Sequence, residues 1–467
     1  MSVNALPAGE VGFELQSLPI HANLSAEPST VEASASPSVS LDEREEEAVA
    51  LPPVDYGAQA WKFVLCSFIL ETLVWGFPLS YGVFQEWYLS NPNSPFRGAS
   101  ESAVNAIGTI TLGIQYMEGL GVIYFTQKWP QWTKTMMFAG LVVCIGALTL
   151  SSFATEVWHL IALQGVVYGI AGGVLYMPVV GWLSEWFVQR RSLAGGLIFG
   201  GTGLGGAGFP ILANFLLQRV GFRWTLRALA AIIGVLGGLA LLGAKPRLPI
   251  ARHATPAPMS FSFVTSPVFI FMAVTIFVQG LSYFPVSLYI PSYAASLGFS
   301  SLNGTLALAA FNMAAVVGQV LVGYYCDRGS YTTAMIVSSM LSAILGFVLW
   351  GFAHSLALIY AFAVLFGGIS GGFSSTWLPA AAELFNNQST AIFMAFSCAK
   401  GLAAITGPFV AAALHPKTVS DQDRAGSGGW AGYGFTAMTI FVGSGMIATA
   451  GLSSTVLAFR KKTLKAE

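Results

Sequence analysis

At 467 residues the chain is long enough for roughly two or three soluble domains, yet only 9% of its residues are charged and 55% are hydrophobic. Soluble proteins carry roughly a quarter charged residues, so a water-exposed fold of this size is excluded and lipid is the expected solvent. The formal net charge is zero, which leaves no electrostatic footprint for nucleic acid. Cys66, Cys144, Cys326 and Cys398, like the five histidines, are scattered without clustered spacing. Neither a disulfide framework nor a metal site nor a bound cofactor is expected.

Residues 1–54 are rich in Ser, Ala, Pro and Glu, with an acidic run from Asp42 to Glu47. They hold no long apolar stretch behind basic residues, so a disordered cytoplasmic tail is expected rather than a secretory signal. From Trp61 onward apolar runs alternate with short polar breaks. The runs are 60–86, 104–126, 134–154, 157–184, 192–217 and 224–243, then 266–292, 303–326, 332–352, 355–380, 389–413 and 432–459. Each is about the 20 residues that cross a 30 Å bilayer core. Each must be helical, since lipid offers the backbone no hydrogen-bond partners. The expectation is an all-α membrane protein of twelve transmembrane helices. They form two six-helix halves, 55–244 and 266–459, with a central cytoplasmic loop at 245–265 and a short tail at 460–467.

Lys and Arg in the short loops set the orientation. With both termini in the cytoplasm, that side collects Lys128, Lys134, Arg190, Arg191, Lys245, Arg247, Arg252, Arg328 and the basic tail from Arg460. The outer side holds Arg97, Arg219, Arg223, Lys417 and Arg424; Arg219 and Arg223, on one short outer turn, run against the trend. A multi-pass protein of the plasma membrane, functional as a monomer, is expected.

An internal repeat supports the two halves. A shift of 198 residues places Gly169, Gly173, Glu185, Phe187 and Pro210 on Gly367, Gly371, Glu383, Phe385 and Pro408. Paired halves with the substrate held between them are the architecture of alternating-access transporters.

The repeat and helix count resemble the major facilitator superfamily. Gly323-Tyr324-Tyr325-Cys326-Asp327-Arg328-Gly329 looks like the second-half copy of that superfamily's loop motif, while the first copy, near Gly121 and Lys128, lacks its Asp. More narrowly, Asp55-Tyr56-Gly57 with Trp61, and Trp186-Phe187-Val188-Gln189-Arg190-Arg191-Ser192-Leu193-Ala194-Gly195-Gly196, are similar to two signatures of the monocarboxylate porter family, especially its fungal members. The resemblance covers about residues 55–460. Animal lactate carriers of that family use a Lys where this chain has Leu79 within Phe77-Pro78-Leu79-Ser80, and an Asp and an Arg where it has Asn312 and Val316. Proton–lactate symport is therefore not expected to carry over.

Charges inside a helix cost roughly 2.5–3.5 kcal/mol on insertion scales and are functional candidates. Glu71 shares a helical face with Trp75 and Pro78. It is either a proton-coupling site or a protonated carboxyl hydrogen-bonded to a neighbouring helix. By resemblance, the second and eleventh helices meet between the halves, so Glu118 and Lys400 would form an interdomain ion pair; local packing of each is the alternative. By the same resemblance, the first, fourth, seventh and tenth helices line the pathway, with Tyr81, Gln85, Gln164, Tyr168, Tyr176, Gln279, Tyr283, Ser374 and Trp377 as candidates, and Asn312 beside them. An aromatic wall with a few amides and hydroxyls suits an amphipathic organic molecule; any single ring is also explained by packing.

Arg190 and Arg191 are either topology determinants or a latch on Glu185. The corresponding Glu383 faces only Gln388 and Ser389, so the latch, which with Asp327 and Arg328 would form the cytoplasmic gate, is expected to be asymmetric. The glycines from 195 to 208 lack a following Gly-Lys-Ser/Thr and read as close helix packing. The function expected is movement of a small organic metabolite, a monocarboxylate or an exported secondary metabolite, by alternating access with or without protons. The alternative is a membrane sensor on the same fold, which a large signalling tail would mark. An intramembrane enzyme would need converging catalytic residues, and no such cluster is present.

Overall fold

The structure, a computed structural model, describes residues 51–188, 190–248, 262–326, 328–384, 389–414, 430–431 and 434–463. The expected N-terminal tail up to residue 50, most of the central loop, and Asp327 lie outside these residues. Eleven helical elements make up the described fold. They are α1 (Ala58–Ser90), α2 (Glu101–Met117 with Gly119–Lys128), α3 (Pro130–Ser151), α4 (Val157–Trp186) and α5 (Arg191–Gly243). After residues 249–261 come α6 (Pro267–Ser296), α7 (Ser301–Cys326), α8 (Tyr331–Trp350), α9 (Leu356–Glu383), α10 (Ser389–Leu414) and α11 (Thr436–Thr463).

Ten of these are long and apolar enough to cross a membrane, and the α2 pair, bent by 43° at Glu118, makes eleven. The expected segments 192–217 and 224–243 run together as α5, so later labels fall one below the sequence count. At 53 residues a straight α5 would reach about 80 Å, far more than a bilayer core. Gly221 interrupts it with φ 70° and ψ 175°, a backbone conformation open to glycine because it has no Cβ. The outward faces are apolar: Leu239, Leu242, Val320 and Leu321 are all at least 60% exposed, a surface that only lipid tolerates over such an area.

Prolines loosen the helices where they meet. Pro78 in α1 has no N–H and leaves the Val74 carbonyl without its helical donor; Gln115 Nε2 of α2 approaches that oxygen at 3.5 Å. α1 then breaks at Ser80, whose hydroxyl donates to the Phe77 carbonyl at 2.7 Å.

The helices before and after residues 249–261 join along two seams. One is α2 on α10, where a Cβ at Gly401 would stand 2.7 Å from the Gly113 carbonyl. The other is α5 on α7, where a Cβ at Gly203 or Gly206 would stand 2.6 Å from Val316 or 2.8 Å from Asn312. On its other face α5 offers Gly201 to the Phe68 carbonyl of α1 at 2.5 Å. The glycine run thus serves close approach on two sides of one helix.

Polar bonds between the two groups gather toward one end. Asn105 Nδ2 donates to the Tyr289 hydroxyl (2.7 Å), which donates to Glu101 Oε1 (2.6 Å), and Ser301 donates to Asn214 Oδ1 (2.7 Å). At mid-depth, Asn312 Nδ2 donates to the Gly206 carbonyl at 2.8 Å.

Candidate functional site

Glu71 sits on the inner face of α1, 2% exposed. Thr202 Oγ1 of α5 donates to its Oε1 at 2.5 Å, and the Tyr176 side chain neighbours the same carboxyl. Oε2 is buried with no bonding partner. One turn along α1, Trp75 packs against Tyr116 (5.0 Å) and Tyr176 (6.5 Å), and its Nε1 is also buried and unpartnered. Tyr116 of α2 in turn meets Phe284 of α6 at 6.0 Å, and Phe284 meets Tyr283 at 5.6 Å. A wall of rings therefore runs from the Glu71 carboxyl across the seam into the second group of helices.

At its far side stands Lys400 of α10, 2% exposed. Its ammonium hydrogen-bonds Gln279 Oε1 and lies over the rings of Tyr283 (4.7 Å), Phe284 (5.0 Å) and Trp377 (6.0 Å). Gln279 is held in that orientation because its Nε2 donates to both the carbonyl and the hydroxyl of Ser370, each at 3.0 Å. Trp377 Nε1 is buried without a partner.

The expected ion pair between Glu118 and Lys400 does not form. Their helices do meet, with Cys398 Sγ donating to the Met117 carbonyl at 3.4 Å. The bend of α2 at Glu118, however, turns its carboxyl onto Gly173 of α4, where Oε1 is buried without a partner. Lys400 points instead into α6.

The other pathway candidates divide. Tyr81 is tied down by its hydroxyl donating to the Val104 carbonyl at 2.6 Å. Tyr168 stacks edge-on with Phe77 at 4.9 Å. Gln85 and Gln164 are fully buried, with both amide atoms of each unpartnered. Ser374 is half-buried on α9. Asn312 lies on the seam between α7 and α5, its amide donating to the Gly206 carbonyl at 2.8 Å.

The end carrying Glu185 and Glu383 also differs from expectation. Glu185 Oε2 accepts from the backbone amides of Arg247 (3.0 Å) and Leu248 (3.1 Å), and makes no latch with Arg190. Arg190 lies over the Tyr56 ring at 4.5 Å; the Arg191 side chain lies outside the described residues. Glu383 has a basic partner after all, Arg460 Nε of α11 at 2.6 Å. Arg328 lies over the Tyr324 ring at 3.7 Å.

Reading by residue type missed Tyr116, Phe284, Gln115 and Thr202, apolar or neutral positions whose value comes from their neighbours. It named Asp55 in a signature without its partners: Oδ1 accepts from the amides of Val188 (3.0 Å) and Arg190 (2.8 Å), while Trp61 packs on Phe187 at 5.6 Å. The two sequence signatures are thus one structural unit.

The Major Facilitator Superfamily profile matches residues 62–408. The chain is 29% identical over 454 residues to the MFS-type transporter hasB of Aspergillus fumigatus, covering 90% of this chain and 95% of that one. It is 28% identical over 348 residues to the Agnestins efflux protein AgnL12 of Paecilomyces divaricatus, covering 73% and 78%. Among solved structures, the peptide transporter POT in complex with sulfate superposes with a TM-score of 0.64 at 14% identity, over 88% of this chain and 96% of that one. A buried polar and aromatic path across the seam of a helical, lipid-facing body fits these likenesses, and the chain is a multi-pass membrane transporter belonging to the Major Facilitator Superfamily.

Proposed function

We propose that the chain exports a small amphipathic organic metabolite, an organic acid or secondary metabolite, by alternating access coupled to protons at Glu71. The observation that carries this reading is the wall from Glu71 through Trp75, Tyr116 and Phe284 to Lys400. It draws on helices of both groups and carries buried donors and acceptors without a hydrogen-bond partner among the described residues. A buried carboxyl on a transport path is the group to exchange a proton during the cycle. The efflux name of one relative supports the direction.

In this reading the two limbs of α5 cross the membrane separately, making twelve crossings in two halves, 55–244 and 266–459. The termini face the cytoplasm and the plasma membrane is home. The protein works as a monomer. With that orientation the Glu101–Tyr289 end faces outward, and its hydrogen bonds close the outer side of the path.

Proteoliposomes loaded with candidate organic acids test the proposal. Net accumulation of one acid driven by a proton gradient is the expected result. Accumulation indifferent to the gradient would remove proton coupling, and no accumulation or counterflow of any organic solute would remove the transport assignment.

A further inference from the structure

Lys400 is the group least explained by packing. It is buried, no described carboxylate pairs with it, and its one hydrogen-bond partner among the described residues is a neutral amide, Gln279. An ammonium has three donors, and a buried charge without a counter-charge is costly. The faces of Tyr283, Phe284 and Trp377 compensate only in part, since a ring face contributes about 0.5–2 kcal/mol. The site around Lys400 is built to hold a cation in place, with Ser370 fixing the Gln279 amide. It lacks the anion.

The open groups along the wall fall at its two ends. Beside Lys400, Trp377 Nε1 is an unused donor. Across the seam, Glu71 Oε2 and Gln115 Oε1 are unused acceptors and Trp75 Nε1 is an unused donor. Between them run Trp75, Tyr116 and Phe284, ring against ring. A ligand that satisfies all three regions has an anionic, oxygen-rich end, a flat apolar middle, and at the opposite end a hydroxyl, which both donates and accepts.

We propose that the site takes a hydroxylated aromatic acid, its carboxylate on Lys400 and Trp377, its ring on the Tyr116–Phe284 wall, and its hydroxyl toward Glu71. The assignment rests on the transport reading for its purpose and refines the substrate class. It separates this chain's preference from that for short aliphatic acids, which would reach Lys400 and leave the ring wall bare.

The test is binding of 6-hydroxy-2-naphthoate to the full-length protein in lipid nanodiscs, against 6-hydroxy-2-naphthamide and cyclohexanecarboxylate. The acid should bind roughly tenfold or more tightly than the amide, the effect of one charge-assisted hydrogen bond, and more tightly than the aliphatic acid. Lys400→Gln should abolish the preference of acid over amide, and Lys400→Arg should keep it. The wild-type comparison needs no variant, so a misfolded substitution leaves the test intact. Equal binding of acid and amide, no binding of the acid, or a preference that survives Lys400→Gln overturns the proposal. Counterflow in proteoliposomes separates the two claims. Transport of other solutes without acid preference overturns the Lys400 assignment alone, whereas acid binding without counterflow keeps the site and sinks the transport reading.

Discussion

Arg460 Nε stands 2.6 Å from Glu383 Oε1, joining the end of α9 to the end of α11. Glu185, 198 positions earlier in the repeat, joins the end of α4 to the backbone just beyond α5 through the amides of Arg247 and Leu248. The repeated carboxylate therefore does one job twice, fastening the fourth expected helix of each half to the chain end of the sixth. The partner differs, a guanidinium in one case and two peptide N–H groups in the other.

The two fasteners should differ in strength. The Arg460 and Glu383 side chains are 25% and 36% exposed, and pairs in that setting contribute about 0–1 kcal/mol. Glu383→Gln should lower thermal stability in detergent only slightly, and the exchange of Glu383→Arg with Arg460→Glu should restore what either single change loses. Glu185→Ala leaves the part-buried Arg247 amide without its acceptor and should cost about 1–3 kcal/mol. Equal losses at the two positions would contradict this ranking.

Asp55 ties the entry of α1 to the turn before α5. It is 4% exposed, and its φ of 62° lies in the left-handed region that Asp and Asn tolerate better than most residues. Asp55→Ala removes the acceptor for Val188 and Arg190 and should destabilise by about 1–3 kcal/mol, whereas Asp55→Asn keeps both the acceptor and the backbone preference. Melting of the purified variants, followed by fluorescence, should place Asn near the parent and Ala well below it. An Asn variant as unstable as Ala would mean that the charge matters more than the acceptor.

Tyr289 links the two groups of helices at the end that the proposed cycle closes, donating to Glu101 and accepting from Asn105 across the seam. Tyr289→Phe keeps the ring against Phe435 (6.3 Å) and deletes both bonds, each contributing about 1 kcal/mol. The closed population should fall by roughly tenfold or more relative to the open one. Spin labels at the exposed Asn93 and Ser300 would report this as growth of a longer distance component. An unchanged distribution would show that the remaining contacts, the Ser301–Asn214 bond and the seam glycines among them, hold that end shut.

Much of this was legible in the residues. Hydropathy placed the helices to within a few residues because bilayer thickness fixes their length, and the repeat pointed to paired carboxylates. Partners were not legible where they depend on rotation. Glu118 and Lys400 lie on helices that meet, yet the bend at Glu118 sends one side chain to Gly173 and the other reaches Gln279. Glu383 looked unpaired because Arg460 is 77 positions away. The ring wall escaped notice because Tyr116 and Phe284 are ordinary residues for a buried helix. The contact between them, across two helices far apart in sequence, is what gives them a place on the path.

Glu71 carries the sharpest prediction. Thr202 Oγ1 donates to one carboxyl oxygen at 2.5 Å while the other is left without a bonding partner, an arrangement that holds the side chain in place and keeps one oxygen open to a proton or ligand. Net accumulation driven by a proton gradient requires that proton to come and go; exchange of substrate for substrate does not. Glu71→Gln is nearly isosteric and cannot ionise, so gradient-driven accumulation should fall by about tenfold or more, a change equivalent to about 1.4 kcal/mol, while counterflow persists. Thr202→Val deletes the fixed donor and should weaken both activities without abolishing the response to the gradient. A purely structural Glu71 predicts another pattern. Accumulation and counterflow would then fall together in Glu71→Gln, in step with the amount of folded protein.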